Sequence, residues 1–139
     1  MPASRESIAE FLRFGVVGVI GFLVDTAVVY ATRDALGVYL AGGLAYVAAV
    51  TSNFFINRAW TFRGRGHGHT VELWSKYLAI YTVGIVPNRG AYVIALALSP
   101  FIRAHPVFAV AAGSIAGMGF NFFLARRFVF TAPAIGSTR

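Results

Sequence analysis

The sequence lacks cysteine and contains few charged residues, and both features restrict what the protein can be. Among its 139 residues there is no cysteine, so disulfide bonds and thiolate metal sites are excluded. Charged residues make up 12% of the chain, and hydrophobic residues make up 58%. A soluble domain of this size keeps a large fraction of its residues at the surface and could not cover so much apolar side chain. The composition therefore predicts an integral membrane protein.

Acidic residues are also scarce, and this bears on catalysis. The five acids are Glu6, Glu10, Asp25, Asp34 and Glu72. They do not have the spacing of paired catalytic carboxylates, and the sequence offers neither a nucleophile–base pair nor a phosphate-binding loop before a soluble helix. We therefore expect that the protein is not an enzyme and uses no cofactor. His67 and His69 have no further ligands nearby in the sequence, so we expect no metal site.

Long apolar stretches occupy most of the chain. About 20 mostly apolar residues span the hydrocarbon core of a membrane. Four windows reach this length, and they cover about residues 14–32, 38–56, 77–102 and 107–125. They lack the polar faces at helical spacing that a soluble helical bundle requires. The predicted fold is an all-α integral membrane protein with four transmembrane helices.

The positive charges indicate an orientation in the membrane. They fall mostly in the N-terminus, the middle loop and the C-terminal tail, whereas the two short hairpin loops contain only Arg33 and Arg103. The positive-inside rule then predicts that both termini and the middle loop are cytoplasmic. With this placement, the formal charge of +7 indicates membrane lipids rather than nucleic acid as partners.

Two ten-residue segments resemble each other and indicate an internal duplication. They are NFFINRAWTF, residues 53–62, and NFFLARRFVF, residues 121–130. A shift of 63 residues aligns Gly21 with Gly84, while the two segments align at a shift of 68. The second half should therefore have the longer hairpin loop, near residues 99–106.

The duplication sets the predicted organisation of one membrane domain over the whole chain. The expected parts are repeat 1 over about residues 7–63, a flexible cytoplasmic linker over 64–70, repeat 2 over about 71–131, and a disordered tail over 132–139. Each repeat is a helical hairpin that crosses the membrane twice, so the two repeats share one orientation. They should be related by an axis along the membrane normal.

The first residues of repeat 1 predict a short interfacial helix over residues 4–13. Ser7 and Glu10 have the spacing of a capping box. Ile8 and Phe11 lie on one face of such a helix, which suits the membrane surface.

Two ionisable residues lie inside the apolar windows and are candidates for function. At about 1.5 Å per residue, Asp25 and Arg89 lie at a similar depth, roughly 18–20 Å from the cytoplasmic boundary. Equal depth would allow them to pair, beside Asn88 and next to a helix kink expected at Pro87. The pair could fix helix packing, belong to a polar path or act as a switch between two packings, and the sequence leaves these interpretations open.

The repeated segments contain the other candidate residues. In the first copy these are Asn53, Asn57 and Arg58. They are expected at the same depth in the membrane as Asn121 and Arg126 of the second copy. An asparagine in a membrane often only bonds a neighbouring helix, and an arginine at a helix end often only reaches the headgroups. Together, two guanidinium groups and several amides suit a lipid phosphate and the hydroxyls of an attached sugar.

Glycines of the fourth window predict close helix contact. Gly113 and Gly117 form a GxxxG pair. The contact could lie within the monomer or in a homo-oligomer.

These motifs resemble the GtrA-like family of small four-helix bacterial membrane proteins. The matching features are Arg13-Phe14 with Gly18 and Gly21, and the two segments over residues 53–62 and 121–130. The resemblance covers about residues 11–131. It implies a place in the bacterial cytoplasmic membrane and a role in cell-surface polysaccharide or glycolipid synthesis. Family members are proposed to flip polyprenyl-phosphate-linked sugars to the outer leaflet, where a membrane glycosyltransferase uses them.

The resemblance places Asn53, Asn57, Arg58, Asn121 and Arg126 where substrate comes in from the cytoplasm. This sequence departs from exact duplication at one of these positions, since Ala125 stands where the first copy has Asn57. The two half-sites are therefore not equivalent.

Translocation is the leading functional hypothesis. Arg58 and Arg126 would bind the phosphate of the lipid, while Asp25, Asn88 and Arg89 would help the sugar across. One alternative is a non-transporting anchor or regulator of a glycosyltransferase. A less favoured alternative is a small multidrug-resistance-type exporter, which the one-sided charge distribution argues against.

Overall fold

A computed structural model describes residues 4–105 and 107–132 of the chain. Apart from residue 132, the disordered tail expected over 132–139 lies outside this part. The helices are α1 (Arg5–Gly37), α2 (Tyr39–Thr61), α3 (Thr70–Leu98), α4 (Pro100–Ala104) and α5 (Phe108–Val129). Four of them, all except α4, are long and apolar enough to cross a membrane. The predicted all-α fold with four spans is confirmed.

The two hairpin turns differ in length. In the first, α1 and α2 meet at Gly37, whose backbone has φ 78° and ψ 161°. A positive φ is accessible to glycine at little cost, so the chain reverses at a single residue. In the second, α4 lies between α3 and α5, and its N-cap is Ser99, whose hydroxyl accepts a hydrogen bond from the N–H of Ile102 at 3.3 Å. The second hairpin therefore has the longer loop.

α3 is interrupted at Gly84. Its two parts run over Thr70–Val83 and Ile85–Leu98. Pro87 follows one turn after Val83 and has no N–H to donate to the carbonyl of that residue. The kink expected at Pro87 thus takes the form of an interruption at Gly84.

Both repeated segments end in a single turn of π-helix. These turns cover Asn57–Thr61 and Ala125–Val129. In each copy the N–H of the next residue, Phe62 or Phe130, donates to a carbonyl five residues earlier at 2.8 Å. The wider turn brings the final phenylalanine of each segment into the interior.

An aromatic core joins the two hairpins at the end where the repeated segments lie. Phe62 and Phe130 stack on each other, with ring centroids 4.8 Å apart. Phe54 stacks on Phe130 at 5.9 Å, and its counterpart Phe122 stacks on Phe62 at 5.8 Å. Matching residues of the two segments thus make matching contacts. The two hairpins are related by an approximate two-fold axis and point in the same direction.

The first turns of α1 and α3 extend this symmetry. Phe14 packs edge-on against Phe122, and its counterpart Tyr77 packs edge-on against Phe54, each with centroids 5.6 Å apart. Phe14 and Tyr77 are both buried. The buried aromatic side chains of the core are therefore Phe14, Tyr77, Phe54, Phe62 and Phe130, and Phe122 packs against them partly buried.

Much of the outer surface of the bundle is apolar. Large side chains such as Phe22, Leu40, Val86 and Leu98 are exposed. In water a continuous apolar surface of this kind would cause association, whereas in a bilayer it contacts lipid chains.

Candidate functional site

The two hairpins separate away from the aromatic core. Among the described residues, no Cα atom of Ile85–Leu98 lies within 8 Å of a Cα atom of Arg5–Ile56, although the same part of α3 packs closely on α5. A cavity of about 820 Å³ lies between the hairpins. Pockets that bind small molecules commonly have volumes of about 300–1,000 Å³. The cavity is therefore large enough for a polar ligand of the size of a sugar.

The cavity wall combines small and polar residues from α1, α2, α3 and α5. Gly18 leaves space for it, since no atom lies within 4 Å of a Cβ there, whereas Gly117 lets Asn88 pack closely on α5. Its polar side chains are Asp25, Tyr46, Tyr81, Asn88, Arg89, Ser114 and Asn121. Four of these were predicted as site residues, and the fold brings them to one place. The tyrosines and the serine were not predicted, because isolated hydroxyl groups in apolar windows are also common in helix packing.

Asp25 and Arg89 face the same cavity without forming the ion pair expected from their depth. Among the described residues, the ion pairs within 4.0 Å do not include one between these two. The physical reason is that α1 is separated from the second part of α3, Ile85–Leu98. An acid and a base that line a cavity in this way are placed to contact a ligand rather than each other.

Asn53 and Asn121 occupy matching positions, each packed on a glycine of the other helix in its hairpin. The amide of Asn53 lies against Gly21, and the amide of Asn121 lies against Gly84. In both residues the amide oxygen is buried and has no hydrogen-bond partner within the described part of the chain. Because Asn121 also lines the cavity, its oxygen is a candidate acceptor for a ligand hydroxyl.

We expect Gly84→Ala to lower the free energy of unfolding by about 1–2 kcal/mol, because the added Cβ would overlap the amide of Asn121. Adding Asn121→Ala to this variant should restore most of the loss. Gly90→Ala is the matched control on the same helix, since no atom lies within 4 Å of a Cβ there. Unfolding in mixed detergent micelles, followed by near-UV circular dichroism, would measure all three variants. Equal stability of the Gly84 and Gly90 variants would contradict the contact.

Asn57 has both polar groups bonded within the protein. Its Nδ2 donates to the Tyr77 hydroxyl at 2.7 Å, and its Oδ1 accepts from the Thr61 hydroxyl at 2.7 Å. The side chain is fully buried, and the bond to Tyr77 joins α2 to α3. The structure thus gives Asn57 a packing role instead of the contact with sugar that the sequence suggested. The second copy fills this position with Ala125, which is buried in the core.

Arg58 and Arg126 contact the first turns of the opposite hairpin. Arg58 donates from Nη1 to the hydroxyl of Thr70, at the start of α3, at 2.9 Å. Arg126 lies with its Nε 3.0 Å from Oε2 of Glu10, near the start of α1. The two guanidinium groups predicted to bind phosphate therefore lie in matching positions at the same end of the bundle, and both already have intramolecular partners.

Glu10 makes contacts that the sequence did not reveal. The expected capping box is absent in this part of the structure, because the N-cap of α1 is Ser4, whose hydroxyl accepts from the N–H of Ser7 at 3.1 Å. Glu10 instead binds Arg126 and also Arg65 of the linker, at 3.3 Å. A contact between residues at opposite ends of the chain leaves no trace in local spacing.

Part of the linker contacts the core, and the flexibility expected for residues 64–70 stays a prediction. Gly66 is buried beside Phe130, and its N–H donates to the carbonyl of Thr131 at 3.4 Å. In the ranges 4–105 and 107–132, no three His, Cys, Asp or Glu side chains come together closely enough to hold a metal ion.

Comparison with protein families agrees with the architecture. Residues 13–130 match the family described as GtrA/DPMS, transmembrane domain. No match to the chain is found among curated proteins. Together with the four apolar helices, the family match identifies a multi-pass membrane protein and links it to glycolipid or polysaccharide synthesis. The chain belongs to the GtrA/DPMS transmembrane-domain family, as its repeated motifs predicted.

Proposed function

We propose that the protein moves a polyprenyl-phosphate-linked sugar across the bacterial cytoplasmic membrane, where a membrane glycosyltransferase then uses it. The observation that carries this proposal is the cavity between the hairpins. It brings the predicted residues Asp25, Asn88, Arg89 and Asn121 to one place within the apolar part of the bundle.

The chemistry of the cavity suits a sugar. Sugar hydroxyls both donate and accept hydrogen bonds, and taking them into hydrocarbon without partners costs several kcal/mol. The cavity offers a carboxylate at Asp25, a guanidinium at Arg89 and amides at Asn88 and Asn121. These groups can replace water during the crossing, while the apolar chain of the lipid stays against the exposed apolar surface.

The phosphate of the lipid would bind at the end of the bundle that contains the repeated segments. A guanidinium group has five N–H donors, and one intramolecular contact leaves others for a second acceptor. Arg58 and Arg126 thus remain suited to a phosphate at the predicted cytoplasmic side. With the phosphate there, the attached sugar could extend into the cavity.

We expect Arg89→Gln to reduce leaflet exchange of a polyprenyl-phosphoryl sugar about tenfold, because a charge-assisted hydrogen bond to the sugar is worth about 1.5–3 kcal/mol. The measurement uses purified protein in liposomes, with exchange compared with that of protein-free vesicles. Arg103→Gln is the matched control, since Arg103 lies on α4 outside the cavity wall. It should leave exchange unchanged.

Two results would overturn the proposal. One is equal exchange by wild-type protein and the Arg89 variant. The other is no exchange by wild-type protein with any of several sugars; recovery of a glycosyltransferase with the protein would then favour the anchor role.

A further inference from the structure

Glu10 is a buried carboxylate shared by two guanidinium groups from distant parts of the chain. Its side chain is 5% exposed and lies 3.0 Å from Nε of Arg126 and 3.3 Å from Nη2 of Arg65. The contact with Arg126 is an ion pair only, since Oε2 of Glu10 has no hydrogen-bond partner among the described residues. Because Arg126 belongs to α5 and Arg65 to the linker, one carboxylate holds three parts of the structure together. Glu6 also lies 3.7 Å from Nη2 of Arg65, but its side chain is 75% exposed and water screens its charge, so Glu10 is the buried partner that both guanidinium groups share.

The matching place in the second repeat has no acid. The shift of 63 residues aligns Glu10 with Leu73, which is buried in the aromatic core. There Arg58, the counterpart of Arg126, donates to the hydroxyl of Thr70 instead. The fold can therefore fill this position with an apolar side chain. A buried carboxylate is less favourable than an apolar group of similar volume, so packing alone does not account for Glu10.

A phosphate group has the chemistry to replace Glu10. Carboxylate and phosphate both accept paired hydrogen bonds from a guanidinium group, and phosphate presents more acceptor oxygens. The side chain of Arg126 is 36% exposed, so an anion can reach it from outside the core. Arg65 lies between Gly64 and Gly66, both with positive φ, and glycines allow the linker backbone to change conformation.

We propose that Glu10 is an internal competitor in an anion site, where Arg126 and Arg65 exchange it for the phosphate of a bound head group. This rests on the proposed function and assigns Arg65 as a further phosphate-binding residue. Binding of the phosphate then releases the contact between α1 and the linker. The occupied and empty states of the site differ in how the linker is held.

Calorimetric titration of the purified full-length protein in neutral detergent tests this exchange. The probes are geranyl phosphate, as a short polyprenyl phosphate, and inorganic phosphate. Glu10→Gln should bind geranyl phosphate about tenfold more tightly, because the competitor loses its charge, and Arg65→Gln should bind it about tenfold more weakly. Glu6→Gln is the matched control, because Glu6 also lies near Arg65, at 3.7 Å, but is 75% exposed. Its affinity should stay close to that of the wild type.

Unchanged or weaker binding by folded Glu10→Gln would overturn the proposal. If that variant does not fold, the proposal is tested with Arg65→Gln, which leaves the contact between Glu10 and Arg126 in place. An affinity of Arg65→Gln for geranyl phosphate equal to that of the wild type would then exclude the exchange. The same affinity ratios with inorganic phosphate would show that the phosphate suffices, whereas binding of geranyl phosphate alone would assign the site to lipid. Altered affinities without leaflet exchange would support the anion site and refute translocation.

Discussion

Phe130→Ala should lower the free energy of unfolding by about 3–5 kcal/mol, the usual loss when a buried phenylalanine is truncated. The ring of Phe130 is fully buried and stacks on Phe62 and Phe54. It also packs edge-on against Tyr77 of α3, with centroids 6.0 Å apart. Truncation therefore opens a cavity where the two hairpins meet. Unfolding in mixed detergent micelles, followed by tryptophan fluorescence, would measure the loss.

Phe128→Ala is the control for this prediction. Phe128 lies in the π-helical turn that directly precedes Phe130, but it is 55% exposed. Its truncation should therefore change the free energy of unfolding by less than about 1 kcal/mol. By the approximate two-fold symmetry, Phe62→Ala should resemble Phe130→Ala. Similar losses at Phe128 and Phe130 would show that the aromatic core does not hold the hairpins together.

Gly113→Ala should destabilise the protein by about 2–3 kcal/mol, through overpacking between α3 and α5. A Cβ at Gly113 would lie 2.7 Å from the carbonyl oxygen of Asn88. A backbone atom cannot rotate away as a side chain can, so the two helices must separate at this contact. The same change should disturb the cavity wall, because Asn88 is part of it.

Gly119→Ala on the same helix provides the comparison for Gly113. No atom lies within 4 Å of a Cβ at Gly119, and alanine favours a helix by about 1 kcal/mol over glycine. This variant should be as stable as the wild type or slightly more stable. Thermal unfolding of both variants in one detergent gives the difference, and equal midpoints would argue against the close approach of α3 and α5.

The spans could be predicted because length and hydrophobicity are properties of local sequence. Each of the four windows overlaps one long helix. The helices extend past the windows because charged residues at their ends are helical too, as in the first turns of α1, which begins at Arg5. The repeated segments were recognisable for the same reason, since their residues lie next to one another in the chain.

The arrangement of the candidate site depends on contacts between helices, which could not be predicted from the sequence. The membrane depth of Asp25 and Arg89 could be predicted by counting residues. Whether the two side chains form an ion pair depends on the distance between the hairpins, which residue counting does not provide. The contact of Glu10 with Arg126 joins the first helix to the last, so no spacing could show it. The π-helical turns were also missed, because a single wide turn changes helical periodicity too little to be read from a hydrophobic pattern.

The shared direction of the two hairpins limits how the proposed transport could work. In transporters with inverted repeats, exchanging the conformations of the two halves moves the opening to the other face of the membrane. Here both repeated segments meet at one end, so the same exchange would reproduce an opening on the same face. In the proposed transport, a change of face would therefore require bending within individual helices. Next to Gly84, beside the cavity, one of these helices already lacks a backbone hydrogen bond, because Pro87 has no N–H to donate to the carbonyl of Val83.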